Sequence, residues 1–319
     1  MDDRRIGYVG LGNMGGALAR RLMVSGEVAA FDLNPALRDQ FAAAGAQVCR
    51  QAADLAARCD VIFLCLPTSD HVEQALFGPQ GMAPNLRAGQ LVIDQSTGFP
   101  QTTRQIAARL ATLGVGFVDA PVSGGPSGAA AGTIAIMAGG SADDLARALP
   151  ILGRISANIT QTGAVGSGQV VKIVNNMVSF SQRLLTYEAL ALGCKNGVDP
   201  AVIAQVLGTS TAQNGYIHRV LPKVLRGDLA IGFTLGLTVK DMDLACDLAK
   251  ASGVPLAVAR MAQDVYQEFS GVLPPQAEIE TVVRLVESAA GIRFVPDAAT
   301  GPAPTAAVPS PQPPTPQRS

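Results

Sequence analysis

The chain has no tryptophan, and aromatic residues fill only 4% of its 319 positions. Apolar residues still reach 48%, so the cores are expected to be built from Ala, Val and Leu. His71 and His218 are the only histidines and lie far apart. That spacing offers no metal centre, and none is expected. Cys49, Cys59, Cys65, Cys194 and Cys246 are odd in number and never form a CxxC pair. Such usage fits reduced thiols and predicts a cytoplasmic protein. Neither sign of charge dominates: 24 Lys and Arg face 25 Asp and Glu, a net charge of −1. There is thus no basic footprint for nucleic acid or an anionic membrane. No apolar run reaches bilayer length, and the opening MDDRRIGYVG lacks the apolar segment of a signal peptide. The length predicts two domains and a tail.

What is present begins with a strand, Arg5 to Val9, followed at once by Gly10-Leu11-Gly12-Asn13-Met14-Gly15 and a helical pattern from Ala17 to Val24. This is G-x-G-x-x-G between strand and helix, where a tight turn lets the backbone approach a pyrophosphate at a helix N-terminus. A second strand, Val28 to Phe31, ends in Asp32, about 20 residues on, where an acidic side chain accepts from the adenosine ribose hydroxyls. Asp32 also suits a turn ahead of a helix capped by Asn34 with Pro35 at its first position. Only Leu33-Asn34-Pro35 follows, with no arginine placed for a 2′-phosphate. NAD is therefore expected and NADP disfavoured.

Val61 to Leu66 and Leu91 to Asp94 are continuous apolar runs, as in strands buried on both faces of a parallel sheet. Ligands of such sheets bind outside the carboxyl ends of the strands. Leu66-Pro67 and Ser96-Thr97 stand at those ends, where the nicotinamide half of a dinucleotide is expected. A further strand, Gly116 to Ala120, leads into the glycine-rich Pro121 to Ala129 and a strand over Thr133 to Ala138. Its successive glycines can turn N–H groups toward an anion, with Ser123 adding a hydroxyl. Ser141 and Asp144 form a capping box for the last helix of this domain.

After Gly168 the alternation of strands and helices stops. From Gly163 to Lys195 lies a long stretch, helical after its first glycines, about 40 Å at ~1.5 Å per residue. It is apolar almost all round: Val170, Val171, Ile173, Val174, Met177, Val178, Phe180, Leu184 and Leu185. That pattern predicts burial. One polar stripe breaks it: Lys172, Asn175 or Asn176, Ser179 and Arg183. Lys172 on such a helix either reaches solvent or pairs with a carboxylate, or lines a cleft as a proton-transfer group whose pKa burial lowers. Further helices are expected over 200–208, 217–225, 238–252, 255–269 and 278–290. Lys240-Asp241 opens the third of these, where Asp241 and Asp243 complement the helix dipole. From Val295 the chain is rich in Pro, Ala, Ser and Thr with nothing to bury, and a disordered tail is expected.

Taken in order, the glycine loop, the segment Asp119-Ala-Pro-Val-Ser-Gly-Gly-Pro-Ser-Gly-Ala, the segment Gly163-Ala-Val-Gly-Ser-Gly-Gln-Val-Val-Lys-Ile-Val-Asn-Asn and Lys240-Asp241 resemble the β-hydroxyacid dehydrogenases, the group around 3-hydroxyisobutyrate dehydrogenase. The likeness spans about residues 5 to 290. It implies an α/β protein, with an N-terminal Rossmann doubly wound sheet over residues 1–164. A long interdomain helix joins it to an all-α substrate and dimerisation domain over 165–294, and the Pro-rich tail covers 295–319. The resemblance implies that Lys172 is the catalytic general acid/base. It further implies that Ser123, Gly124, Gly125 and Asn176 bind the carboxylate side of the substrate, and that Asn176 holds Lys172. Gly10–Gly15, Asp32, Leu66, Pro67, Thr97 and Lys240 are the implied cofactor contacts. The substrate side-chain pocket is expected from residues 211–216 and Phe233, of the same chain or of a partner chain. The reaction implied is reversible oxidation of a small β-hydroxyacid to its semialdehyde, and the apolar helical half predicts a homodimer or homotetramer. Tartronate, succinic and glyoxylate semialdehyde reductases are the alternatives within the family, and a non-catalytic dinucleotide sensor is the alternative of another class.

Overall fold

The computed structural model describes residues 4–297. The N-terminal half alternates β1 (Ile6–Val9), α1 (Asn13–Met23), β2 (Val28–Phe31), α2 (Pro35–Ala43), β3 (Gln47–Val48), α3 (Ala52–Arg58), β4 (Val61–Leu64), α4 (Ser69–Phe77), β5 (Leu91–Asp94) and α5 (Pro100–Ala111). It continues through β6 (Gly116–Asp119), β7 (Val122–Ser123), α6 (Gly125–Ala131), β8 (Ala135–Gly140), α7 (Ala142–Ile155) and β9 (Ile159–Gly163). One sheet takes the order β3-β2-β1-β4-β5-β6-β8-β7, with β9 pairing β8 outside that path. From β3 to β6 all pairs are parallel, whereas β8 runs antiparallel to β6 and β7. The strand order reverses between β1 and β4, the switch point where such sheets bind ligands.

The apolar runs form strands because helices cover both faces. Tyr8, Phe63 and Ile93 face one core with Leu18 and Leu22 of α1, while Ile62, Leu64 and Val92 face the other with Leu55 and Leu76. Tyr8 stacks on Phe63 at 5.6 Å, and its hydroxyl donates to Gln95 Oε1 (2.8 Å). Ser141 caps α7 as its spacing with Asp144 predicts, accepting from Asp144 N at 3.1 Å. The two-residue strands β3 and β7 carry too few positions to show a period.

The C-terminal half is helical. It comprises α8 (Ser167–Lys195), α9 (Pro200–Thr209), α10 (Gly215–Arg219), α11 (Leu221–Val224), α12 (Leu235–Ser252), α13 (Ala257–Ser270) and α14 (Val283–Ala290). The 29 residues of α8 join the two halves: its first turns lie on β8 and β9, and its later turns pack on α12, α13 and α14. Gly168 permits the close approach, since a Cβ there would stand 2.4 Å from the Met137 carbonyl oxygen. The Asp119 carboxylate anchors the helix start by accepting from Gly166 N (2.7 Å) and Gln169 N (3.0 Å). Gln169 ties it to the end of β5, donating to Ser96 O (2.9 Å) and accepting from Gly98 N (3.0 Å).

Two expectations are corrected here. The helix α8 is not buried all round. Val171, Val174, Val178, Leu185 and Leu192 are exposed, Leu185 by 66% and Leu192 by 70%, while Lys172, Asn176 and Arg183 face inward. The chain is also still anchored beyond 294. Val295 is fully buried, and Glu287 Oε1 accepts from the backbone N–H groups of Phe294 (2.8 Å) and Val295 (2.7 Å). Phe294 and Val295 supply the apolar contact that composition averaged away. The remainder of the expected tail, 298–319, lies outside the described residues.

Candidate active site

The glycine loop follows β1 without a spare residue. Gly10 has φ +94°, and a Cβ there would meet the Cys65 carbonyl oxygen at 2.3 Å. A Cβ on Gly15 would lie 2.0 Å from the Gly10 carbonyl oxygen, so α1 can sit this close only with glycine there. Gly12 is different: nothing stands within 4 Å of where its Cβ would be. It is also the N-cap of α1, with no side chain bonding the first turn. The free N–H groups of that turn therefore face open space, which is what a pyrophosphate requires. Gly12 and Asn13 are exposed and Met14 is half-buried, whereas Leu11 points into the core.

Asp32, at the end of β2, accepts from Leu11 N (2.7 Å) and from Asn34 N (2.8 Å). Its turn-supporting role is thus realised, and the carboxylate also stands beside the glycine loop. The helix start at Asn34-Pro35 brings back a residue that the linear reading passed over. Arg38 Nη1 donates to the carbonyl oxygens of Asp32 (2.6 Å) and Leu33 (3.1 Å).

At the ends of β4 and β5, Leu66 N donates to Ser96 Oγ at 2.9 Å. Lys240, from α12, donates to Pro67 O (3.1 Å) and Thr97 O (2.9 Å) and ion-pairs with Asp241 (2.9 Å). The structure therefore brings Leu66, Pro67, Thr97 and Lys240 together, with Lys240 clasping the helical half to the sheet.

Lys172 lies one turn into α8 and is only 7% exposed. Among the described residues its ammonium has no hydrogen-bond or ion-pair partner. Burial pushes its pKa down to about 8; the Asp241 carboxylate opposes that fall and the Lys240 charge assists it. Cys65, also close by, is a neutral thiol pushed up to about 12 by burial. The expected contact between Asn176 and Lys172 does not form. Asn176 Nδ2 instead donates to Asp241 Oδ2 (2.6 Å), and Asn176 Oδ1 accepts from Asn175 Nδ2 (3.0 Å). Asn175 Nδ2 also reaches Ser123 Oγ (3.2 Å). A continuous polar path thus runs from Ser123 through Asn175, Asn176 and Asp241 to Lys240, along the flank of Lys172. Asp241, 2% exposed, is its centre. In sequence it reads as a helix-dipole complement, and only the crossing of α12 over α8 makes it a site residue.

Ser123, Gly124 and Gly125 form the opposite lip. Gly124 and Gly125 both have positive φ, +138° and +68°, and nothing stands within 4 Å of a Cβ position on Gly125. A polar cavity of about 350 Å³ adjoins them, with Asn175 and Arg219 in its wall. A larger groove of about 600 Å³ follows α1 from Gly12 to Val24, and neither Lys172 nor Ser123 lines it. Of residues 211–216 and Phe233, two are placed by clear contacts. Tyr216 is core, hydrogen-bonded to Tyr187 (2.7 Å) and Glu280 (3.0 Å), and Phe233 packs on Phe180.

Two families match this chain. Residues 5–163 match the NAD binding domain of 6-phosphogluconate dehydrogenase, and residues 166–286 match the NAD-binding domain of NADP-dependent 3-hydroxyisobutyrate dehydrogenase. The chain is 35% identical to 2-(hydroxymethyl)glutarate dehydrogenase of Eubacterium barkeri, over 90% of this chain and 96% of that protein. It is 38% identical to 3-hydroxyisobutyrate dehydrogenase of Pseudomonas aeruginosa, over 82% and 90% respectively. Among solved structures, Mycobacterium tuberculosis 3-hydroxyisobutyrate dehydrogenase with L-serine superposes with a TM-score of 0.80. That pair is 31% identical and covers 89% of this chain and 99% of the other.

Proposed function

The chain belongs to the β-hydroxyacid dehydrogenase family, and from that premise we propose that it oxidises a small β-hydroxyacid to its semialdehyde, reversibly, with Lys172 as general acid/base. The family makes it an oxidoreductase acting on a CH–OH group with a nicotinamide dinucleotide. The observation that carries the finer reading is the unpartnered ammonium of Lys172, buried between Asp241 and Cys65 where the two halves meet.

Bound dinucleotide supplies the hydride acceptor. The open first turn of α1 at Gly12 and Asn13 would hold its pyrophosphate, Asp32 its ribose, and Leu66, Pro67, Thr97 and Lys240 the nicotinamide end. Ser123, Gly124 and Gly125 anchor the substrate carboxylate, the serine through its hydroxyl and the two positive-φ glycines through their backbone N–H groups. Neutral Lys172 takes the hydroxyl proton in oxidation, and its ammonium returns it to the carbonyl oxygen in reduction. Asn176 positions Asp241, whose carboxylate moderates the fall in the Lys172 pKa.

NAD is the preferred cofactor on this reading, because the Asp32 carboxylate repels a 2′-phosphate. Arg38 is the one observation favouring NADP, although its guanidinium is engaged by the Asp32 and Leu33 carbonyls. The five free cysteines fit a cytoplasmic setting, and no described helix is long and apolar enough to cross a membrane. The exposed apolar face of α8 suits a homo-oligomer.

The test is a screen of dinucleotide reduction over 3-hydroxyisobutyrate, glycerate, threonate and 4-hydroxybutyrate. Turnover of a β-hydroxyacid is expected, with NAD preferred over NADP by at least about tenfold in kcat/KM, or ~1.4 kcal/mol. Tight dinucleotide binding without turnover of any hydroxyacid would favour the sensor instead.

A further inference from the structure

The cavity beside Ser123 has a wall of definite character. Ser123, Gly124 and Asn175 belong to both cavity and candidate site, but Lys172 and Asn176 do not line it. The cavity thus extends the carboxylate-binding lip away from the proton-transfer group. Its remaining polar wall includes Asn158, Thr133 and Arg219, and no carboxylate lines it.

Arg219 is its one cation. The guanidinium ion-pairs with no acidic side chain among the described residues, and its single hydrogen bond is a long one, Nε to Gly215 O at 3.4 Å. Both terminal nitrogens remain available for a bidentate acceptor. Its backbone is nevertheless held firmly. Asn214 caps α10 through Tyr216 N and Ile217 N, and the Tyr216 side chain is buried against Tyr187 and Glu280. An arginine fixed at its base, with an exposed and unpaired tip at the mouth of a polar cavity of about 350 Å³, fits an anion better than a methyl group.

We infer that the substrate carries a second acidic group, and that Arg219 receives it in this cavity while Ser123, Gly124 and Gly125 hold the carboxylate nearest the reacting carbon. Arg219 is then a specificity-determining residue. The inference rests on the dehydrogenase reading for its substrate class, but the cavity can be probed without turnover.

Two hydroxyacids isolate the effect. 3-Hydroxyisobutyrate and 2-(hydroxymethyl)glutarate share a hydroxymethyl group and a carboxylate on one carbon, and differ in carrying methyl or carboxyethyl as the third substituent. Kinetics with both, and calorimetric titration of the unreactive diacid glutarate into NAD-loaded protein, are compared for the wild type and Arg219→Gln. Melting temperature controls for folding, and Arg219→Lys tests whether charge alone restores part of the effect. The expected result is glutarate binding weakened at least tenfold in Arg219→Gln. KM should rise at least tenfold for the diacid with a far smaller change for 3-hydroxyisobutyrate. Equal glutarate affinity in the two proteins, or none in the wild type, would overturn the inference. So would an equal KM penalty on both hydroxyacids, since Arg219 would then serve the shared carboxylate. Glutarate binding that depends on Arg219, without oxidation of either hydroxyacid, would uphold the cavity and fail the dehydrogenase reading.

Discussion

Lys172 is costly to the folded chain, and the cost has a sign that can be measured. Burial holds its pKa at about 8 rather than 10.5, so the unfolded chain binds more protons between those values. The destabilisation is therefore complete below about pH 8 and disappears as pH rises toward 10.5, about 3 kcal/mol in all. The same depression sets the activity profile. Oxidation needs the neutral amine, so its kcat/KM should climb about tenfold per pH unit below pH 8 and level off above. Reduction needs the ammonium and should decline above the same point. A pH–rate series in both directions checks this, and parallel profiles for the two directions would contradict it. Lys172 stood out in the sequence because a charge interrupts an apolar pattern, and the resemblance supplied its role. Asp241 did not, since it owes its place to a contact between α12 and α8 that linear spacing does not encode, and Arg38 did not, since only the turn at Asn34-Pro35 brings it back onto the Asp32 and Leu33 carbonyls.

At the scale of the element, α8 shows both the reach and the limit of periodicity. Its length was plain from a run without proline, and its inward polar stripe was plain from the three- and four-residue spacing. Which apolar side is covered was not, because burial by the chain itself and burial by a second copy leave the same pattern. Val171, Val178, Leu185 and Leu192 recur every seven residues and form one exposed line along the helix, as in a seam between helices. Leu185→Glu should therefore weaken self-association at least about tenfold, ~1.4 kcal/mol, with the melting transition of the fold itself preserved. Light scattering after size exclusion reads this directly. A wild-type chain monomeric at tens of micromolar would contradict the proposed oligomer. The glycine loop was the most legible element, because a strand, a turn and a helix start are all local. The strands β3 and β7 were too short to declare a period.

For the molecule as a whole, the candidate site lies where two separately cored halves meet. The sheet brings the glycine loop, the ends of β4 and β5 and the Ser123 lip, while the helices bring Lys172, Asn176, Asp241 and Lys240, with Arg219 beside the adjoining cavity. Asp119 and Gln169 fix α8 to the sheet from one side, and Lys240 closes onto Pro67 and Thr97 from the other. The α/β-then-α division could be read from where strand patterns stop, but the contacts that join the halves could not. If this junction exists to seat one proton-transfer group, Lys172→Met separates catalysis from structure, because methionine fills similar space and suits a helix. The measurement is kcat of that variant beside its NAD affinity and melting temperature at pH 7. The account predicts turnover reduced by about 10² or more, NAD affinity unchanged and a melting temperature no lower than wild type. Near-normal turnover in a folded, NAD-binding variant would contradict it.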